Sequence, residues 1–266
     1  MRKKSLLWEI RFANLDLAGY LFGTIHINHP DVNSKLDLPL HLLDSVDCLF
    51  LEVNPGEWNK GIFKPNEDSL HTLDLKSSYS DRKYNRLKKN LTKFCGLNPD
   101  HFRRINPVIL MSYIETSLSN ASLDEGMDMK LFSIAVKKGI PVQGLISLTQ
   151  EYESMQQLND HLKGSELYSL SKNLNTIRKN IQHLINQYKE EDIHQLYRIS
   201  KKPLGAMRKP LLFERNFKMH TNLIQEIQME RKIMAAVGAG HLSGEFGLIR
   251  LLRKSGLKLF PYRKKE

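Results

Sequence analysis

An uncharged apolar run, Ile233 to Val237, leads directly into Gly238-Ala239-Gly240-His241. Phe246, Ile249, Leu251 and Leu252 then follow with helical spacing up to a stop at Gly256, and a second short apolar run, Leu257 to Phe260, closes at Pro261. Strand, helix, strand in that order makes a crossover unit, almost always right-handed between parallel strands. A chain carrying such a unit is committed to an open α/β sheet. His241 then falls at the carboxyl end of the first strand, where such sheets place their ligands. Glycines at 238 and 240 read as the means of a sharp backbone turn at that point.

The N-terminal part supplies further strands. Leu6 to Phe12 and Leu17 to Ile27 read as a pair joined by Ala13-Asn14-Leu15-Asp16, the second ending in Gly23-Thr24-Ile25-His26. Pro39 stands where a helix can begin, with Leu40, Leu43 and Val46 as its apolar side. Cys48 to Val53 is nearly continuously apolar, as a buried parallel strand requires, with Glu52 near its end. Glu57 to Leu75 is turn-rich, and basic helical stretches follow. Val108 to Ser117 and Leu123 to Lys138 read as helices, the latter with Met127, Leu131, Ile134 and Ala135 on one side and Gly139 in the stop position. Ile140 to Ile146 is a short strand candidate. Thr149 to Glu230 is mainly helical, broken at Lys201 to Gly205. The resulting fold is α/β: a mixed, largely parallel sheet built from both chain ends, in one domain over 1–266 with a large helical insertion at about 76–230.

A chain of 266 residues buries roughly 75% of its unfolded surface and needs no staple. Its two cysteines, Cys48 in an apolar run and Cys95 in a basic helix, argue against a disulfide framework. Arg2, Lys3 and Lys4 precede an apolar stretch of only Leu6 to Trp8, too short for a secretory signal, and no run approaches bilayer length. These features predict a cytoplasmic protein without a transmembrane segment. The net charge of +11 raises the question of nucleic acid. From Lys76 to Asn106 nine basic residues face two acidic ones, but the aromatics there form no nucleic-acid motif, so a solvated basic face is the preferred reading.

The chemistry concentrates at three strand ends. Two Gly-x-x-His segments, ending in His26 and His241, both follow apolar strands, and Glu52 ends a third. Two imidazoles and a carboxylate match a metal site with open positions for water and substrate. A divalent ion there would acidify a bound water and polarise a carbonyl for hydrolysis. The competing reading pairs Glu52 with Arg215, which lies with Asn216 beside the apolar stripe Leu212, Met219 and Leu223 of a helix over 208–229. An inward guanidinium needs a carboxylate or a ligand, and a structural ion pair and a substrate-orienting role both stay open.

Leu7-Trp8-Glu9-Ile10, Tyr20 to His26, Leu51-Glu52, Phe213-Glu214-Arg215-Asn216 and Val237 to Gly244, in this order, resemble the TraB/GumN family, which includes bacterial pheromone-shutdown proteins and is related to the Tiki metalloproteases. The resemblance runs from about Leu7 to Tyr262 and is most specific at the two ends. It implies a core related to the erythromycin-esterase and ChaN-like folds, and a divalent-metal-dependent peptidase (Mn, Co or Zn) acting on a peptide or small acyl substrate. By matching position, His26, His241 and Glu52 would hold the metal, Glu52 and Arg215 would act in catalysis, and Arg215, Asn216 and Asp128 would contact substrate. A non-catalytic, peptide-binding regulator of the pheromone-shutdown type is the alternative. One acid frequent in the family is replaced here by Leu145-Ile146.

Overall fold

The computed structural model describes residues 4–27, 29–58, 72–101, 104–119, 126–161 and 164–263. The chain begins with an antiparallel pair, β1 (Leu7–Arg11) and β2 (Leu17–Thr24). Two short helices, α1 (Pro30–Asn33) and α2 (Asp37–Leu42), lead to β3 (Cys48–Leu51) and α3 (Pro55–Trp58). Next come α4 (Asp81–Cys95), α5 (Pro107–Ser119) and α6 (Met127–Lys137), and then β4 (Val142–Gly144). Four helices follow: α7 (Leu148–His161), α8 (Gly164–Lys172), α9 (Leu174–Lys189) and α10 (Ile193–Lys201). A π-helical turn, Lys209–Glu214, runs straight into α11 (Arg215–Gln228). The chain closes with β5 (Ile233–Gly238), α12 (Leu248–Lys254) and β6 (Lys258–Pro261).

Six strands form one mixed sheet in the order β4-β3-β5-β2-β1-β6. The fully apolar β5 lies between β2 and β3, parallel to both, which is why Ile233 to Val237 carry no polar side chain: both faces of the strand are covered. Thr24 pairs with Gly238 and Leu51 with Ala236, so β2, β3 and β5 end at the same sheet edge.

The unit read into 232–262 is a crossover between parallel strands: β6 is antiparallel to β1, β1 is antiparallel to β2, and β2 is parallel to β5, so β5 and β6 run the same way with two strands between them. The helix is shorter than its apolar spacing suggests. It starts at Leu248, behind an extended Gly247, so Phe246 precedes it. Neither Gly238 nor Gly240 has a left-handed backbone. At Gly240 the reason for glycine is room: a Cβ there would stand 2.7 Å from Ser200 Oγ of α10. Likewise a Cβ on Gly23 would lie 2.7 Å from Leu242 Cδ1 and 3.1 Å from Ala239 Cβ, so β2 can lie against the 239–242 turn only without a side chain.

Other boundaries shift for local reasons. β2 stops at Thr24, where its partner β5 stops, which leaves Ile25 to Ile27 beyond the ladder. α2 begins at Asp37, which puts Pro39 in its first turn, where the missing N–H costs no helical bond. The 208–229 helix is interrupted by the π turn, and the strand over 140–146 shrinks to 142–144. Residues 59–71 of the turn-rich segment and 123–125 of the predicted helix lie outside the described residues.

One apolar cluster surrounds the sheet, where Leu131, Tyr188, Met219 and Leu223 from the helices cover Phe22, Leu49 and Met234. A second joins α4, α5, α8 and α9 through Leu87, Leu91, Ile114, Leu167 and Leu174. Ile181 of α9 packs against both. α4 turns Leu87 and Leu91 inward while Arg82, Lys83, Arg86, Lys89 and Lys93 stay in water, the arrangement expected of an amphipathic surface helix. Among the described residues no helix is long and apolar enough to cross a membrane.

Candidate functional site

Glu52 follows β3 directly, and the Gly238 N–H at the end of β5 donates to its Oε2 at 3.3 Å. Arg215 opens α11, is 9% exposed, and extends its fork to two carboxylates. One nitrogen donates to Glu52 Oε1 and the other to Glu151 Oε2 of α7, at 2.5 Å. The π turn just before Arg215 carries one residue more per turn than an α-helix and thereby sets which way Arg215 and Asn216 face. Both are buried on the side of α11 that also carries Met219 and Leu223.

Asn216, 1% exposed, fixes the other half of the site. Its amide nitrogen donates to the Phe246 carbonyl at 2.7 Å, with the His241 carbonyl at 3.4 Å. The amide oxygen is thereby turned to His241 Nδ1, at 2.6 Å, where it can only accept. Nδ1 therefore carries the ring hydrogen, and the lone pair sits on Nε2. That nitrogen stands 3.6 Å from Glu52 Oε1.

Burial acts to raise the Glu52 carboxyl, but His241, the Arg215 fork and His26 outweigh it and hold the group down at about 2. Burial also pushes the His241 imidazolium down, against the opposing pull of Glu52, and leaves that ring neutral at neutral pH. A neutral ring supplies little charge, so the cations acting on Glu52 are Arg215, in direct contact, and the His26 imidazolium. The unprotonated Nε2 and the ionised Oε1 are then two electron-pair donors facing each other without a hydrogen between them.

His26 lies two residues beyond the end of β2, with its side chain largely open to solvent. Its Nδ1 stands 3.0 Å from Asp128 Oδ2 of α6, a close charge contact rather than an aligned hydrogen bond. The contact with Asp128 raises the imidazolium to about 9. Asp128 is itself held by Thr24 Oγ1, which donates to its Oδ1 at 2.9 Å. Beneath the strand end, Tyr188 of α9 donates to the Gly23 carbonyl at 2.6 Å. Burial pushes the Glu115 carboxyl of α5 up, against the opposing pull of His26.

The structure thus brings Glu52, His241, Arg215 and Asn216 into direct contact and sets His26 with Asp128 on the neighbouring strand end. Among the described residues no three His, Cys, Asp or Glu side chains form a ready cluster for a metal ion. The donor chemistry of the His241 and Glu52 pair nevertheless suits one. Its 3.6 Å gap is too wide for a hydrogen bond, yet two coordinate bonds of about 2 Å can bridge it. Asn216 locks the His241 ring in the way that outer partners lock metal-binding histidines.

Both competing readings of Arg215 meet in the same side chain: it is paired with Glu52, and it stands at the site. Glu151 is the residue that sequence patterns do not mark. It gives Arg215 a second carboxylate from α7, while Leu145 and Ile146 are buried apolar residues. In sequence it differs in no way from Glu153 two positions on. Thr24, inside the first Gly-x-x-His segment, could have been singled out by its place at a strand end.

A sequence model described as the TraB/PrgY/gumN family matches residues 6–260. No curated protein and no solved structure matches the chain.

Proposed function

The chain belongs to the TraB/PrgY/gumN family, and from that premise we propose that it is a divalent-metal-dependent hydrolase, a peptidase acting on peptide or small acyl substrates. The observation that carries this reading is the His241 ring, locked by Asn216 so that its Nε2 lone pair meets the ionised Glu52 across 3.6 Å. His241 and Glu52 would hold a Mn, Co or Zn ion, with His26 as the third donor. When bound, such an ion supplies an acidified water and a Lewis acid for the scissile carbonyl.

The chain's own groups divide the remaining work. A carboxylate held at about 2 is a weak base, so Glu52 suits holding a cation better than taking a proton. Arg215 places a fixed positive charge at the edge of the site, where it would hold a substrate carboxylate or the developing oxyanion. His26 must release its proton before it can serve as a donor, so metal loading should strengthen as pH rises.

The test is cleavage of a peptide mixture, read by mass spectrometry, with Mn, Co or Zn and with chelator. Metal-dependent cleavage that is lost in both His26→Ala and His241→Ala supports the reading. If both variants keep metal binding and cleavage, the assignment fails.

A second reading is a non-catalytic regulator that captures a peptide at the same site. It is favoured by the Arg215 fork, which already engages both Glu52 and Glu151. Stoichiometric peptide binding that ignores chelator and yields no products would select it.

A further inference from the structure

A cavity of about 530 Å³ opens between α1, α5 and α9, away from the Glu52 and His241 pair. Among the described residues its polar lining is His29, Ser119, Arg178 and Gln182, none of them acidic. His29 Nδ1 accepts the Asp31 N–H at 3.3 Å, which leaves Nε2 with the ring hydrogen as a donor. Gln182 gives one amide hydrogen to Asn186 Oδ1 at 3.3 Å and keeps the other. Arg178 forms no ion pair among the described residues. Ser119 differs: it gives its hydrogen to the Thr116 carbonyl at 2.9 Å and so can only accept further bonds. Pro30, Leu118 and Ile181 provide an apolar wall.

A cation, two further donors, one acceptor and an apolar wall are the complement of a chain terminus: a carboxylate, the N–H of the last residue, and an aliphatic side chain. The cavity is also placed to receive one. His29 follows His26 by three residues, in the segment that leaves the end of β2. Along α9, Arg178 is about 15 Å from Tyr188, which sits under Gly23. An extended peptide spans that distance in roughly three to five residues. We propose that this cavity is a subsite for the C-terminal carboxylate of a short peptide ending in an aliphatic residue. The proposal rests on the reading of the Glu52 and His241 site as a peptide site and adds which end of the peptide this cavity takes.

The test separates the two. A labelled hexapeptide ending in leucine is prepared as free acid and as C-terminal amide, and its binding to the full chain is followed by fluorescence anisotropy. The free acid should bind about fivefold tighter, the scale of a solvent-accessible charge pair. Arg178→Gln should abolish the difference and Arg178→Lys should restore part of it. Equal affinity of acid and amide, a gap that survives Arg178→Gln, or no binding by either peptide overturns the subsite. A gap without metal-dependent cleavage keeps the subsite and removes the hydrolase. Cleavage that is indifferent to the terminus does the reverse.

Discussion

Replacing Arg215 by methionine keeps most of the side chain's volume and removes the guanidinium paired with Glu52. In the intact protein the Glu52 carboxyl is held at about 2, against an ordinary 4.5. A depressed acid contributes stability that is present above the unfolded value of 4.5 and is lost as pH falls through about 2. At about 1.4 kcal/mol for each pH unit, this amounts to about 3 kcal/mol. Both partners are less than one-fifth exposed, so solvent screening removes little of it. In Arg215→Met the burial that now opposes ionisation is left in command, and Glu151 becomes a second unpaired acid nearby. Glu52 then rises above 4.5, and the sign reverses: its contribution is present at low pH and is lost as pH rises. Urea melts from pH 3 to 8 should show the variant about 3 to 5 kcal/mol less stable at pH 7, the usual cost of orphaning a buried charge. Its melting temperature should fall by roughly 6 to 15 °C. The gap should narrow towards acid, and adding Glu52→Gln should recover part of the loss. A variant within about 0.5 kcal/mol of the parent at pH 7, with an unchanged pH profile, would refute this account of the site.

Asn216→Ala should release the His241 tautomer and leave the Phe246 carbonyl without its donor, at about 1 to 3 kcal/mol; nitrogen NMR of the ring should report hydrogen on Nδ1 in the parent and a mixture in the variant. Asp128→Asn should bring His26 from about 9 back towards 6.5 in a proton NMR titration. Because the folded value is raised, the stability His26 contributes is complete below 6.5 and is lost as pH climbs through about 9, so the variant should lose this alkaline slope; an unmoved titration would show that Asp128 is not the cause. Gly23→Ala should cost about 1 to 3 kcal/mol through overpacking, and Leu242→Ala in the same chain should return part of it; chemical denaturation of the two variants and their combination measures the coupling.

The sheet's interior was legible because burial on both faces leaves a signature in the chain. Ile233 to Val237 and Cys48 to Leu51 are apolar without alternation, and both are internal parallel strands. The edges were not legible in this way. β6 carries an alternating, half-exposed pattern that is equally consistent with a place beside β5 or beside β1, and only the folded chain decides. In the site, the strand-end positions of His26, Glu52 and His241 could be read because a ladder stops where its apolar run stops. Pairings reached across the fold left no such trace. Glu151 meets Arg215 across 64 positions of sequence, on a helix whose acids look alike. The π turn over 209–214 likewise has no apolar periodicity of its own, so a plain helix was the natural expectation.

The bare Cα of Gly23 lies under Ala239, inside the second histidine motif, and Leu242, the residue just after it. The two Gly-x-x-His segments are therefore not copies of one device repeated at each end of the chain. They are mould and cast: the glycine of the first is hollow where the turn of the second protrudes. Evolutionary change in either should be mirrored in the other, so that a relative with a side chain at the first glycine would be expected to carry a smaller residue in place of the leucine. Exchanging one motif alone between relatives would then break a fit that exchanging both preserves.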